Sequence, residues 1–334
     1  MTNRERFMGS LHFHLPDDRL PLLEWASWWD KTITRWQGEG LPSGLDNDGI
    51  QSWFGLDAQR QFWISPRAPG YPQMAHGQGP VTDRASYESL KPLLYPDDAV
   101  AGIRERLLEA KRLQENGDAV VWLTLEGFFW FPRTLFGIEN HLYAFYDESD
   151  LMLEMNRDLT AFHQKVLSEI RKILIPDFMT FAEDMSYNNG PMLSKQQFDA
   201  FLLPYYREVI PVLEEMGTLP MVDTDGRVDP MIPWLLESGI KGVLPLERQS
   251  GVDVALIRKN HPDFRLIGGF DKTVMHLGEA AIRAEFERLL PVMRQGGFIP
   301  SVDHQTPPAV AMEDYHLYLR LLSEYCRKAT QSAS

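Results

Sequence analysis

The 334-residue chain carries 33 Lys+Arg against 47 Asp+Glu, a formal charge of −14, and one cysteine, Cys326. One thiol forms no internal disulfide and no multi-thiolate zinc site, and an acidic chain without a basic run is a poor partner for nucleic acid or an anionic membrane. At 24% charged and 44% hydrophobic the composition is globular, with length for one large α/β barrel or two smaller domains. No apolar run approaches the roughly 20 residues of a membrane span. Met1–Arg6 leads into no signal-type stretch. The expectation is a soluble cytoplasmic protein.

In chain order, short apolar runs end in an acidic residue and are followed by helical segments. The runs end at Glu24, at Glu126, at Glu183-Asp184, at Asp223-Thr224-Asp225, at Glu247, at Asp271 and at Asp303-His304. Such runs suit strands buried on both faces of a parallel sheet. An eighth strand is expected in the irregular stretch 51–64. Helices are predicted over 98–116, stopped by Gly117, and over 149–174, before Pro176. Ser194-Lys195-Gln196-Gln197 reads as a capping box. Further helices are expected over 280–294 and 309–328. Strand and helix alternate throughout, which predicts one domain over 1–334: a (β/α)8 TIM barrel with N-terminal additions.

In such barrels the chemistry sits at the C-terminal ends of the strands. An Asp after a strand is often only the N-cap of the next helix, a reading that fits Asp225 and Asp271. Glu is a poor cap, and Glu24, Glu126, Glu183 and Glu247 need another explanation. Converging carboxylates repel unless a cation, protons or basic side chains meet them. Asp223 and Asp225 are two apart, so on a strand they face one side. With His304 they would hold a divalent metal, with Glu247 as a fourth ligand or a base. Six of the nine tryptophans lie in the first 63 residues. Most are expected to pack a helix onto the barrel; Glu24-Trp25 is the pair expected to line a pocket. Phosphate-loop, nucleophile-elbow and H-E-x-x-H motifs do not occur.

Several pieces, in order, carry a resemblance: Thr2-Asn3-Arg4-Glu5-Arg6-Phe7, Asp184-Met185-Ser186, Pro191-Met192-Leu193-Ser194, Leu203-Pro204-Tyr205-Tyr206, 297–304 and Pro307-Pro308. The sequence resembles the uroporphyrinogen decarboxylase superfamily, which includes methyltransferases that act with corrinoid proteins. The resemblance implies a (β/α)8 barrel. Where true uroporphyrinogen decarboxylases carry R-Q-A-G-R, this chain reads Glu24-Trp25-Ala26-Ser27-Trp28-Trp29. The arginines that meet porphyrinogen carboxylates are missing, and an acidic mouth repels such a substrate. In the methyltransferase branch zinc is held by H-x-C and a later Cys. Those places fall here on Asp223-Thr224-Asp225 and on His304. The resemblance therefore implies a metal with an oxygen and nitrogen shell, zinc or a harder ion.

The resulting expectation is methyl transfer between a small O- or N-methylated substrate and a separate corrinoid protein. The metal at Asp223, Asp225 and His304 would act as a Lewis acid. Glu183 and Glu247 are the expected catalytic groups. Glu24, Trp25, Glu126, Asp184, Asp271 and Asp303 are the expected substrate contacts. The chain has no D-x-H-x-x-G corrinoid motif, so the corrinoid would come on the partner. A homodimer stays open, since relatives often dimerise. One rival is a decarboxylase or other lyase on a non-porphyrin acid, with Arg133, Arg227 or Lys272 as counter-charge. Another is a non-catalytic protein binding a tetrapyrrole or sugar.

Overall fold

A computed structural model describes residues 1–331. Seven parallel strands form one curled sheet, ordered as in the sequence. They are β1 (Gln59–Ile64), β2 (Val120–Glu126), β3 (Phe178–Ala182), β4 (Leu219–Asp223), β5 (Gly242–Leu244), β6 (Arg265–Phe270) and β7 (Phe298–Val302). Helices surround them, and the fold is α/β and TIM-barrel-like. Six of the apolar runs are strands, and β1 comes from the irregular stretch.

The first run, 20–24, is extended but joins no ladder. Pro21 has no N–H, and the other groups bond elsewhere. Leu20 N–H reaches Cys326 O, Leu22 N–H the Asp57 carboxylate, and Leu22 O accepts from Asp57 N–H. Gln59 on β1 donates to Glu24 O, and Trp25 N–H donates to Ser301 Oγ on β7. The segment thus touches both edge strands through side chains, in the place of an eighth strand.

Alternate residues divide between two cores. Val120, Trp122, Phe178, Met221, Leu244, Ile267 and Ile299 pack inside the curl. Val121, Leu123, Phe181, Val222, Val243, Leu266 and Phe298 belong to the outer core, which includes the helices. That double burial is why the runs lack polar alternation. The helix Asn3–Leu11, opened by a Thr2–Glu5 capping box, places Phe7 and Leu11 in the inner core. Phe7 stacks on Phe178 at 5.6 Å, and Phe178 on Trp122 at 4.8 Å. Arg4 N–H bonds Gly117 O, and its guanidinium pairs with Asp177 at 2.7 Å, both just before strands β2 and β3. The helix therefore plugs the N-terminal end. Above this apolar layer lies a polar one: Trp122 donates to Gln59, Gln61 to Thr124, and Thr124 meets Thr180 at 2.9 Å.

The closing helix Met312–Thr330 packs on Glu279–Met293 and buries Tyr315 and Tyr318. Trp36 lies 4.6 Å from the Tyr315 ring, and Trp28 meets the same ring edge-on. Those two tryptophans pack the N-terminal addition as expected. Trp29, Trp53 and Trp63 remain exposed. No helix among the described residues is long and apolar enough to cross a membrane.

Phe7→Ala leaves a cavity under Phe178, and we expect a loss of about 3–5 kcal/mol. Urea unfolding should show a lowered midpoint with an unchanged slope; a loss under 1 kcal/mol would mean that the helix is not a plug.

Candidate active site at the C-terminal mouth

The loop after β4 is bent by Gly226, at φ +81°, where a Cβ would lie 2.6 Å from the Tyr187 backbone. Only glycine fits that bend and that approach. Gly226 N–H donates to Glu247 Oε2 at 2.9 Å, which ties the Asp225 loop to the segment after β5. His304, after β7, sets Nε2 3.5 Å from Asp225 Oδ2. One ligand atom each from Asp225, Glu247 and His304 lies within 4.8 Å of the others, the one such trio among the described residues.

A cavity of about 280 Å³ adjoins the trio. Trp25, Trp63 and Trp130 wall it, and Asp184, Asp223, Asp225 and His304 face it. Ala182, small and inward at the top of β3, leaves room. Trp25 is fixed by Nε1–H to Val302 O at 2.8 Å and meets His304 edge-on. Asp223 is held far above the carboxylate range by burial, then by the charges of Asp184 and Asp225. Asp184 is pushed up to about 6, by burial and then by Asp225. His304 is raised by its hydrogen bond to Asp225. The mouth therefore holds more acid than its own cations neutralise.

A divalent cation fits this donor set. Two carboxylates and an imidazole suit zinc or a harder ion; of the two further carboxyls, Asp184 has Arg133 nearby and Asp223 has no salt bridge among the described residues. The third place beside Asp225 and His304 falls to Glu247. Asp223, expected there, lies outside the trio and lines the cavity. The reason is geometric: Asp223 ends the strand, whereas Gly226 turns Asp225 toward Glu247.

The other expected site residues take different places. Glu183, expected as catalytic, is fully buried away from the cavity. Its carboxylate accepts N–H bonds from Phe128, Phe129 and Trp130 at 2.7–3.1 Å and the Tyr206 hydroxyl. Burial pushes it up to about 7 against those four donors. Those bonds hold the backbone at the start of the helix Trp130–Phe136 and so position Trp130. Gly127 has no side chain because a Cβ would lie 2.0 Å from the Glu183 carboxyl carbon. Glu126 is closed onto Arg67. Asp303 accepts from the backbone of Arg248 and Lys272 and pairs with Lys272 Nζ at 3.3 Å. Lys272 thus reaches the cleft edge, 4.0 Å from Glu247. Asp271 caps the turn Lys272–Leu277 through Thr273. Glu24 turns from the pocket into the core against Ser301, Tyr315 and Tyr318. Sequence reasoning missed Trp63 and Trp130 as walls and Arg67 as the partner of Glu126.

Fold and site together define a barrel protein with an acidic, metal-competent mouth. The family model described as Uroporphyrinogen decarboxylase (URO-D) matches residues 177–325, which carry β3 to β7 and the trio. Over that stretch the chain is similar to the URO-D family. Among solved structures it is similar to a methyltransferase from Methanosarcina mazei, at 16% identity and a TM-score of 0.67, covering 97% of this chain and 99% of that one. That likeness shows a shared fold. Looser likenesses are a putative vitamin-B12 independent methionine synthase from Listeria monocytogenes (12%, TM-score 0.47, 92% and 98% covered) and Fpglu1 from Fervidobacterium (9%, 0.44, 83% and 81%). No curated protein matches.

Burial raises Glu24 to about 8, against about 4.3 in an unfolded chain. Between those values the native state keeps a proton that the unfolded chain has released, so stability falls as pH rises. Glu24→Gln removes that slope. We expect the variant to be more stable than wild type at pH 8, by on the order of a few kcal/mol, and equal to it near pH 4. Urea midpoints across that range check this; parallel curves would refute it.

Proposed function

We propose that the protein transfers a methyl group between a small O- or N-methylated substrate and a corrinoid carried by a separate protein. The convergence of Asp225, Glu247 and His304 beside a tryptophan-walled cavity carries this reading. A divalent metal held by these three would supply Lewis-acid polarisation of the leaving oxygen or nitrogen. Trp25, Trp63 and Trp130 flank the substrate and fix its orientation. The methyl–heteroatom bond breaks, the methyl carbon passes to the partner's corrinoid, and the bond pair stays on the heteroatom. Asp184, at about 6, sits where it can give that atom a proton. The partner would dock over the open C-terminal mouth, because the helix Asn3–Leu11 occupies the other end.

A carboxy-lyase is the second reading. It is favoured by the URO-D match and by Arg133, which donates to Asp184 O at 3.0 Å and places a cation beside the cavity. It predicts that an anionic substrate binds and that Arg133→Ala weakens it.

Metal analysis after zinc or manganese loading should give one ion per chain in wild type. We expect at least about a tenfold affinity loss in His304→Ala or Asp225→Ala, given the weight of a single first ligand. Methyl transfer to free cob(I)alamin should fall with the metal. Wild type that holds no ion after loading would sink the Lewis-acid role. A loaded protein that releases carbon dioxide and transfers no methyl would favour the lyase.

A further inference from the structure

Among the described residues one ammonium or guanidinium lies within salt-bridge reach of the trio: Lys272, whose Nζ is 4.0 Å from Glu247 Oε1. The other cations near the mouth are engaged elsewhere. Arg67 is closed onto Glu126, and the Arg248 guanidinium donates to Val252 O. Arg133 lies over the Trp130 ring and donates to Asp184 O, and Arg227 pairs with Asp229.

Lys272 is anchored where it stands. It opens the turn Lys272–Leu277, which Asp271 caps through Thr273. Its N–H and its Nζ both reach Asp303 Oδ1, at 3.2 and 3.3 Å. Asp303 is fully buried, and its other oxygen accepts from Arg248 N–H. A buried carboxylate keeps its counter-charge, since water cannot replace it. Glu247, by contrast, has one oxygen to offer. Its Oε2 accepts from Gly226 N–H at 2.9 Å and lies 3.2 Å from Ser250 Oγ. Its Oε1 accepts no hydrogen bond among the described residues and has Lys272 as its nearest cation. A metal ion entering between Asp225, Glu247 and His304 therefore meets a carboxylate whose charge Lys272 already screens. Ammonium and metal repel at such distances, so they compete for Glu247.

We propose that Lys272 is a tethered counter-ion of the trio: it screens Glu247 while no metal is bound, yields Oε1 to an incoming divalent ion, and stays anchored on Asp303. The inference rests on the metal reading of Asp225, Glu247 and His304. Lys272 is thus a positioning residue and not a ligand, and it sets how tightly the site holds its ion. Asp303 acts through it, by drawing the ammonium away from Glu247.

Titration of metal-stripped protein with zinc, and separately with manganese, at fixed pH and ionic strength reads the affinity. The variants are Lys272→Gln, which keeps a donor for Asp303 without the charge, Lys272→Arg, Asp303→Asn, and the double variant Lys272→Gln with Asp303→Asn. We expect about tenfold tighter binding in Lys272→Gln, because a unit charge beside a divalent ion is removed. Lys272→Arg should bind as wild type does. Asp303→Asn should bind about tenfold more weakly, and the same substitution in the Lys272→Gln background should change little. Mere damage to the site would weaken every variant, so the opposite signs identify the charge. Metal binding in Lys272→Gln that is equal to or weaker than wild type, with circular dichroism showing a folded protein, overturns the counter-ion and leaves the metal reading standing. If Lys272→Gln does not fold, Asp303→Asn decides: wild-type affinity overturns the proposal and the tenfold loss supports it. Wild type that binds neither ion overturns the metal reading and the counter-ion together.

Discussion

A carboxylate taken out of water costs several kcal/mol unless a cation, a proton or N–H groups meet it, and this protein sets acids at the ends of most of its strands. Each is resolved differently. Glu126 has Arg67, Asp303 has Lys272, and Glu183 has three backbone amides and a tyrosine. Glu24 is held toward its neutral form by burial. What remains is Asp184, Asp223, Asp225 and Glu247 around one imidazole, with Arg133 beside Asp184 and Lys272 shared between Glu247 and Asp303 at the edge. The site is the part of the acidic rim that the fold leaves without enough positive charge.

The resolved acids build the frame for the unresolved ones. Glu183 fixes the start of the helix that carries Trp130, and Gly127 makes room for it. Glu247 reaches back to Gly226, which turns Asp225 toward His304. Glu24 accepts from Ser301, which in turn accepts from the Trp25 backbone, so a buried core acid sets a cavity wall. Positioning and metal-competent groups thus have the same residue types, and only their partners distinguish them.

The strands were legible because double burial writes unbroken apolar runs. Helix ends were legible where glycine or a capping box marks them, as at Ser194. The run 20–24 misled: it has strand composition, but Pro21 and its side-chain bonds keep it out of a ladder. β1 was hard to see because Gln59 and Gln61 carry polar side chains that form hydrogen bonds with Trp122 and Thr124. The plug helix Asn3–Leu11 gave no sequence signal of its place, since any amphipathic helix would look the same.

By itself the sequence determined the layer architecture, the acidic rim and the set of possible ligands, because these follow from local pattern and residue chemistry. Only the tertiary structure decided that Glu247 rather than Asp223 completes the trio. Only it showed that Glu183 faces amides, and that Trp63 and Trp130, 67 positions apart in the chain, share one wall. The reason is physical: charge neutralisation and cavity shape depend on neighbours brought together from distant strands. The single cysteine and the acidic excess therefore excluded functions, and the fold selected which few acids were left free.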